Sequence, residues 1–375
     1  YRNRYLLETG AANPKARTLN TPEEEIGEMM RRVISHEIGH ALGLPHNMKA
    51  SSAYPVDSLR SGSFTQKFGI ATTIMDYARY NYVAQPGDEN IRFVRQLGPY
   101  DDYSIEWGYR FFNKSPEQEK DILKKFVDSQ SLNPIYMFGG YGNDPNSQTE
   151  NIGDDPVKSS FYGIKNLKIV AENLKSWTTE PNENYNELNE LYGELIGVYR
   201  RYMYHVLFLV GGIYDTPHNE NQKDVYRYVN VDKSKQIEAL RFLDTNLWAT
   251  QNWLMKPELI SQIRGEGVLN SIQALQLQAL ARLLNTSKLN RMLSSDVTLK
   301  GESLGVNELI KSLFNSIFTK SINPDYSQQR LQLHFVERTD ALLKDEKLNQ
   351  VIKSVLLDVK KDVFSYAKSR SKKSD

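Results

Sequence analysis

The chain has 375 residues with 47 Lys plus Arg against 46 Asp plus Glu, so a near-neutral balance removes the electrostatic reason to expect nucleic acid as a partner. With no cysteine, disulfides, thiol nucleophiles, iron–sulfur clusters and cysteine zinc sites are excluded, and any metal must be held by His, Asp, Glu or carbonyl oxygens. The longest apolar run, Val206 to Gly212, is far short of the roughly 20 residues that a membrane-spanning helix needs.

Tyr1 to Gly10 is polar and aromatic, with neither an initiator Met nor an apolar signal core, and reads as the start of an excised fragment. The first element with a written start is a helix: Thr21 as N-cap, Pro22 at the first helical position and Glu24 closing a capping box. Ile26, Met30, Val33, Ile34, Ile38, Ala41 and Leu42 follow helical spacing, and Gly43 with Pro45 ends the run. Asn47 to Gln85 has no sustained period and reads as loops, and a short helix is expected from Tyr100 to Phe111, opened by Pro99.

Gly139 to Pro156 is the most turn-rich stretch and reads as a boundary or a long surface loop. Helical periodicity then dominates at Val157–Trp177, Tyr185–Tyr214, Lys233–Trp248, Asn270–Ser294, Val306–Phe318, Pro324–Leu343 and Leu348–Lys368. One alternating strand, Val225 to Val231, interrupts them, and the basic SRSKKSD end reads as frayed. The expectation is a mainly α protein: a zinc-site region over 1–112, a turn-rich connecting segment over 113–156 and a helical C-terminal domain over 157–375.

The chemistry sits at the end of the first confident helix, where His36, Glu37, His40, Gly43 and His46 spell HExxHxxGxxH. Histidines at i and i+4 share a helix face, so both imidazoles can reach one ion at about 2.0–2.1 Å. Gly43 permits the left-handed turn that brings His46 to a third position. Three neutral ligands leave one site open for a water, and Glu37 is placed to take its proton. This is the arrangement of metal-assisted hydrolysis. Only 6 histidines occur in the chain, so three in this register with the Glu and Gly is not the scatter of ordinary helix histidines.

Met75 follows His46 by 29 residues, within Thr-Thr-Ile-Met-Asp-Tyr. With this turn the sequence resembles the metzincin clan of zinc metallopeptidases. The resemblance implies that Met75 is the turn's methionine, an apolar floor under the imidazoles and not a ligand. It implies that Tyr77 ligates zinc or donates to the oxyanion, as the tyrosine at that spacing does in astacin-like and serralysin-like members. It also implies that Leu97 to Tyr109 is the closing helix behind the site. More narrowly, HEIGHALGLPHN, IMDY, GPYDDYSIEWGY and QTENIGDDPVK look like a bacterial family of large exported zinc-dependent metzincins, often found in Bacteroidetes. That likeness implies a peptide or protein substrate, one catalytic Zn2+ and an extracytoplasmic location, whether periplasmic, outer-membrane-associated or secreted. Asn47 departs from the acidic, Ser or Pro residue of the best-known families, so their substrate rules do not transfer.

Metzincins carry an upstream sheet subdomain whose edge strand holds the substrate backbone, and the roughly 20 residues before the zinc helix cannot build it. The cleft is therefore expected to be open on one side. The alternative function is a zinc-stabilised binding or assembly module without turnover. Asn143, Asp144, Asn146, Glu150, Asp154 and Asp155 gather oxygen ligands that a calcium ion could use, but solvated turn residues are the stronger reading. His205, His218 and His334 repeat no ligand spacing and read as structural or surface residues, and Met203, Leu207 and Val210 as a core stripe.

Overall fold

The computed structural model describes residues 1–130, 132–180, 184–220, 222, 226–263, 265–320 and 324–371. They are mainly α-helical, and the chain divides into two compact units. The first comprises Tyr1–His205 and Ile213–Val229, the second Val206–Gly212 and the chain from Asn230 onward. The division falls within the helical half, not at the turn-rich segment, so the chain from that segment to His205 belongs with the zinc-motif region.

The first unit opens with α1 (Arg2–Thr9), a helix that no apolar period in its polar and aromatic sequence announces. Its Tyr5, Leu6, Leu7, Glu8 and Thr9 are all buried. Tyr5 packs on Tyr80 with ring centroids 5.1 Å apart, in a cluster with Ala16, Met29 and Val94. α2 (Glu23–Ala41) carries the zinc motif. Pro22 is its cap residue, its carbonyl accepting from Ile26 N at 3.1 Å, and no side chain caps the helix. The expected capping box is absent because Pro22, not Thr21, occupies the cap position and has no side-chain acceptor, and Glu24 reaches Lys15 Nζ at 3.1 Å instead. α2 buries Met29, Arg32, His36 and Gly39, whereas the apolar series Ile26, Met30, Ile34, Ile38 and Leu42 lies on its exposed side.

After α3 (Gly62–Phe68) come α4 (Pro99–Tyr109), the expected closing helix, and α5 (Pro116–Gln130). α5 corrects the reading of 113–156 as a turn-rich connector: Phe126 stacks on Tyr103 of α4 at 5.0 Å. α6 (Pro156–Thr178) is capped by Asp155, whose carboxylate accepts from Val157 N and Lys158 N at 3.0 Å each. Asn166 in the middle of α6 fixes the loop that leaves the site, donating to the Tyr82 and Ala84 carbonyls at 2.9 and 2.7 Å. α7 (Asn186–Leu209) lies close to α6: a Cβ at Gly163 would collide with the Tyr202 ring.

Of the oxygen-rich turn residues, Asp144 and Glu150 are buried, whereas Asn143 and Asp154 are exposed as solvated turn residues would be. Asp144 pairs with buried Lys49 at 2.7 Å, Asp154 accepts from Val56 N, and Glu150 takes charge from Arg4, Arg79 and Arg201 at 2.6–2.7 Å. Protein donors hold these three carboxylates. His205 is buried with Nε2 3.0 Å from the Thr149 carbonyl.

β1 (Ile213–Asp215) and β2 (Tyr228–Asn230) form a two-stranded sheet, shorter than the expected strand, whose Val225 lies outside the described residues. In the second unit follow α8 (Lys233–Leu243), α9 (Pro257–Ile260), α10 (Gly265–Leu283), α11 (Thr286–Thr298), α12 (Val306–Phe314), α13 (Tyr326–Lys344) and α14 (Gln350–Ser371). The single helix expected over Asn270–Ser294 is two, because Asn285 caps a new one through Ser287 N and Lys288 N. Leu309, Ile310 and Leu313 of α12, Phe335 of α13 and Ile352 and Leu356 of α14 are buried where α14 meets α12 and α13, and burying each such side chain contributes about 1.5–3 kcal/mol.

Candidate metal centre

α2 presents His36 and His40 one turn apart, and Gly43, at φ +84°, lets the chain leave the helix and fold back. Leu44 N then bonds the Gly39 carbonyl at 3.0 Å, which brings His46 over the helix end. His46 Nε2 lies 3.2 Å from His36 Nε2 and 3.0 Å from His40 Nε2.

Those separations are not hydrogen bonds for all three rings. His36 Nδ1 faces the Ile74 carbonyl at 2.8 Å and His40 Nδ1 the Leu44 carbonyl at 2.9 Å, and a carbonyl only accepts. Both neutral rings therefore carry their proton on Nδ1 and turn Nε2 lone pairs toward His46, which has at most one proton to offer. A shared cation resolves this. Nitrogens about 2.0–2.1 Å from a tetrahedral zinc stand roughly 3.3 Å apart, close to the distances found. Backbone carbonyls on the far nitrogens are the usual means of orienting histidine ligands. Burial above all, together with the charges of Arg95 and the neighbouring histidines, holds the His36 pKa below its usual value; burial, then His40, does the same for His46. The ligand form is thus favoured. Among the described residues, these three are the group of His, Asp and Glu side chains with atoms close enough to share a metal ion, all within 4.8 Å.

The turn around Met75 closes the floor. Met75 is 1% exposed, and its sulfur fills the place where a Cβ on Gly39 would be. Asp101 of α4 builds the turn, its carboxylate accepting from Ile74 N at 2.9 Å, Gly98 N at 2.8 Å and the Thr73 hydroxyl. Asp76 accepts from Ser51 N and Ala78 N, and Asn47 N reaches the Met75 carbonyl at 3.3 Å.

These contacts come with a family. A family model described as Met-zincin matches residues 18–325, more than four-fifths of the sequence. The chain belongs to the Met-zincin family. Neither the curated proteins nor the solved structures contain a match to it.

Around this Met-zincin centre, Glu37 is exposed and, with His36 and Tyr77, lines a cavity of about 200 Å³. The Tyr77 ring lies 4.5 Å from that of His46 and 5.6 Å from that of His36, centroid to centroid. Sequence reasoning missed Tyr141, whose ring stands 6.0 Å from His46 and 6.2 Å from Tyr77. Its place in Gly-Gly-Tyr-Gly hid it among turn residues. Asn47 supplies the link, donating to the Met137 carbonyl at 2.9 Å and accepting from Gly139 N at 3.0 Å. Beyond Leu44 and Pro45, a second cavity of about 440 Å³ is walled by Tyr100, Tyr103, Trp107 and Phe138. His205, His218 and His334 take no part in the centre, their ring nitrogens facing Thr149, Thr216 and Glu337.

Proposed function

We propose that this Met-zincin is a zinc-dependent peptidase in which His36, His40 and His46 hold the metal, Glu37 handles the proton, Tyr77 faces the oxyanion and Met75 floors the site. The observation that carries the reading is the convergence of three Nε2 lone pairs, two of them fixed by Nδ1–H bonds to backbone carbonyls. Bound there, zinc supplies Lewis-acid chemistry for a peptide carbonyl and lowers the pKa of water. Glu37, exposed beside His36, takes the proton of the attacking water and returns it to the leaving amine. General acid–base work of this kind contributes roughly 10²–10⁴-fold. Tyr77, held against His46, donates its hydroxyl hydrogen to the oxygen that becomes negative, a contribution on the order of 10²–10³ in kcat for such donors. The aromatic cavity beyond Pro45 accepts an apolar side chain of the peptide.

An extracytoplasmic location belongs to this reading through the family likeness, and among the described residues no helix is long and apolar enough to cross a membrane. Fractionation of producing cells tests it. Glu37→Gln tests the chemistry: zinc per chain should stay unchanged while cleavage of a mixed peptide library falls by at least ~10²-fold. Equal cleavage by both proteins removes Glu37 from the mechanism. Zinc retention with no cleavage even by the unmodified protein favours the binding-module alternative.

A further inference from the structure

Beside the metal centre, the 200 Å³ cavity that Glu37 and Tyr77 line is walled by three guanidinium side chains, those of Arg32, Arg79 and Arg95. Arg32 and Arg95 are only 3% and 6% exposed. Arg32 spends Nη1 on the Arg79 carbonyl at 2.9 Å, and Arg95 spends Nη1 on the Ile74 carbonyl at 2.8 Å. The Nε of each is buried without a hydrogen-bond partner, and neither forms an ion pair within 4.0 Å among the described residues. Arg32 has partial compensation from the Tyr80 ring, 5.1 Å away. Arg79 is bound to Glu150, which leaves Glu37 as the acidic group on the cavity wall.

Buried donors without acceptors are costly, and unpaired buried cations more so. Burial, and after it the charge of Arg32, brings the Arg95 pKa down to about 9, against the opposing charges of Asp76 and Asp101. The space is several times the ~30 Å³ of a water molecule, enough for a carboxylate with its stem. His36, Glu37 and Tyr77 share its walls, so the cavity adjoins the place where a peptide would cross the centre. Arginine forks match carboxylates in shape as well as charge.

We propose that Arg32, Arg79 and Arg95 form a subsite for a peptide carboxylate next to the scissile bond, either an acidic side chain or the free C-terminus. The inference rests on the peptidase reading above and deepens it. Acidic groups should be selected over their amides roughly 10- to 100-fold, the range for hydrogen bonds to a charged partner.

At the best cleavage site of a peptide library, four peptides separate the two sources: Glu against Gln in a C-terminally amidated peptide, and free carboxylate against amide at the chain end. In one arm the acid-to-amide ratio of kcat/KM should reach that range, fall toward one in Arg95→Gln and be partly restored in Arg95→Lys. The ratio is read instead of the rate because any loss of zinc slows both peptides alike. Arg79→Gln, at a more exposed position, should lower the same ratio and serves if Arg95→Gln does not fold. Fluorescence anisotropy of labelled peptides on the Glu37→Gln protein should show the same preference in Kd. Ratios near one in both arms, or a ratio unaltered in the arginine variants, would overturn the subsite. Absence of all cleavage with the Kd preference intact would instead sink the peptidase reading alone.

Discussion

His36 and Arg95 meet on one oxygen: Nδ1 of the first and Nη1 of the second each lie 2.8 Å from the Ile74 carbonyl. That carbonyl is aimed by Asp101, which holds the Ile74 amide from the other side of the turn. A carboxylate on α4 thus orients a ring on α2 without touching it. Asp101→Ala should weaken zinc affinity by roughly 10–100-fold, as losses outside the ligand sphere do, while all three histidines remain. Competition with a chromophoric chelator measures it, and an unchanged dissociation constant would remove Asp101 from the orientation of His36.

Gly39 and Met75 form a second tight relation. A methyl group at position 39 must displace the Met75 sulfur, which is enclosed, so Gly39→Ala should cost about 1–3 kcal/mol by overpacking. Met75→Ala opens that space. In urea denaturation the double variant should therefore be more stable than the sum of the two single losses, with a coupling of about 0.5–3 kcal/mol. Strict additivity would mean that the two side chains do not compete for this volume.

Asn47 is buried with its amide oxygen accepting from Gly139 N and its amide nitrogen donating to the Met137 carbonyl. Asn47→Asp keeps the shape but removes the donor, leaving two acceptors facing each other in a buried place. The expected cost is about 1–3 kcal/mol. Limited proteolysis should then cut within 137–146 faster than in the unmodified protein; an unchanged cleavage rate would show that the loop bearing Tyr141 is held elsewhere.

His205 gives the fold a pH dependence with a definite sign. Burial lowers its pKa from 6.5 to about 4, and its Nδ1 has no partner. Between those values the unfolded chain binds the proton that the folded chain refuses, so stability is full above pH 6.5 and is lost as pH falls toward 4. The difference between pH 7.5 and pH 5 is ~2 kcal/mol. Urea midpoints at the two pH values should differ accordingly, and His205→Gln should shrink that difference. An equal pH response in the variant would assign acid sensitivity to other groups.

The histidine cluster was legible because helical spacing and a following glycine fix where His36, His40 and His46 can point. Which way α2 faces was not. Its apolar series is exposed, while Arg32, His36 and Gly39 are buried, since periodicity locates a stripe but the histidine cluster and the Met75 turn decide what is turned inward. α1 was invisible because two of its interior groups, Arg4 and Glu8, satisfy each other, and charge on a short segment looks like surface. The same held for Asp144, Glu150 and Tyr141, whose neighbours in sequence are turn formers but whose partners come from distant segments.

Glu150 sets an order on the assembly of the first unit. Its three cations are Arg4, Arg79 and Arg201, and the first two lie 146 and 71 residues away along the chain. Removing a carboxylate from water ahead of its partners is unfavourable, because the desolvation penalty arrives before the attraction that offsets it. Closing the turn around residue 150 is therefore favoured only once α1, the segment around Arg79 and α7 are gathered. Local helices can form in microseconds, but this junction depends on loops of high contact order and belongs late in folding.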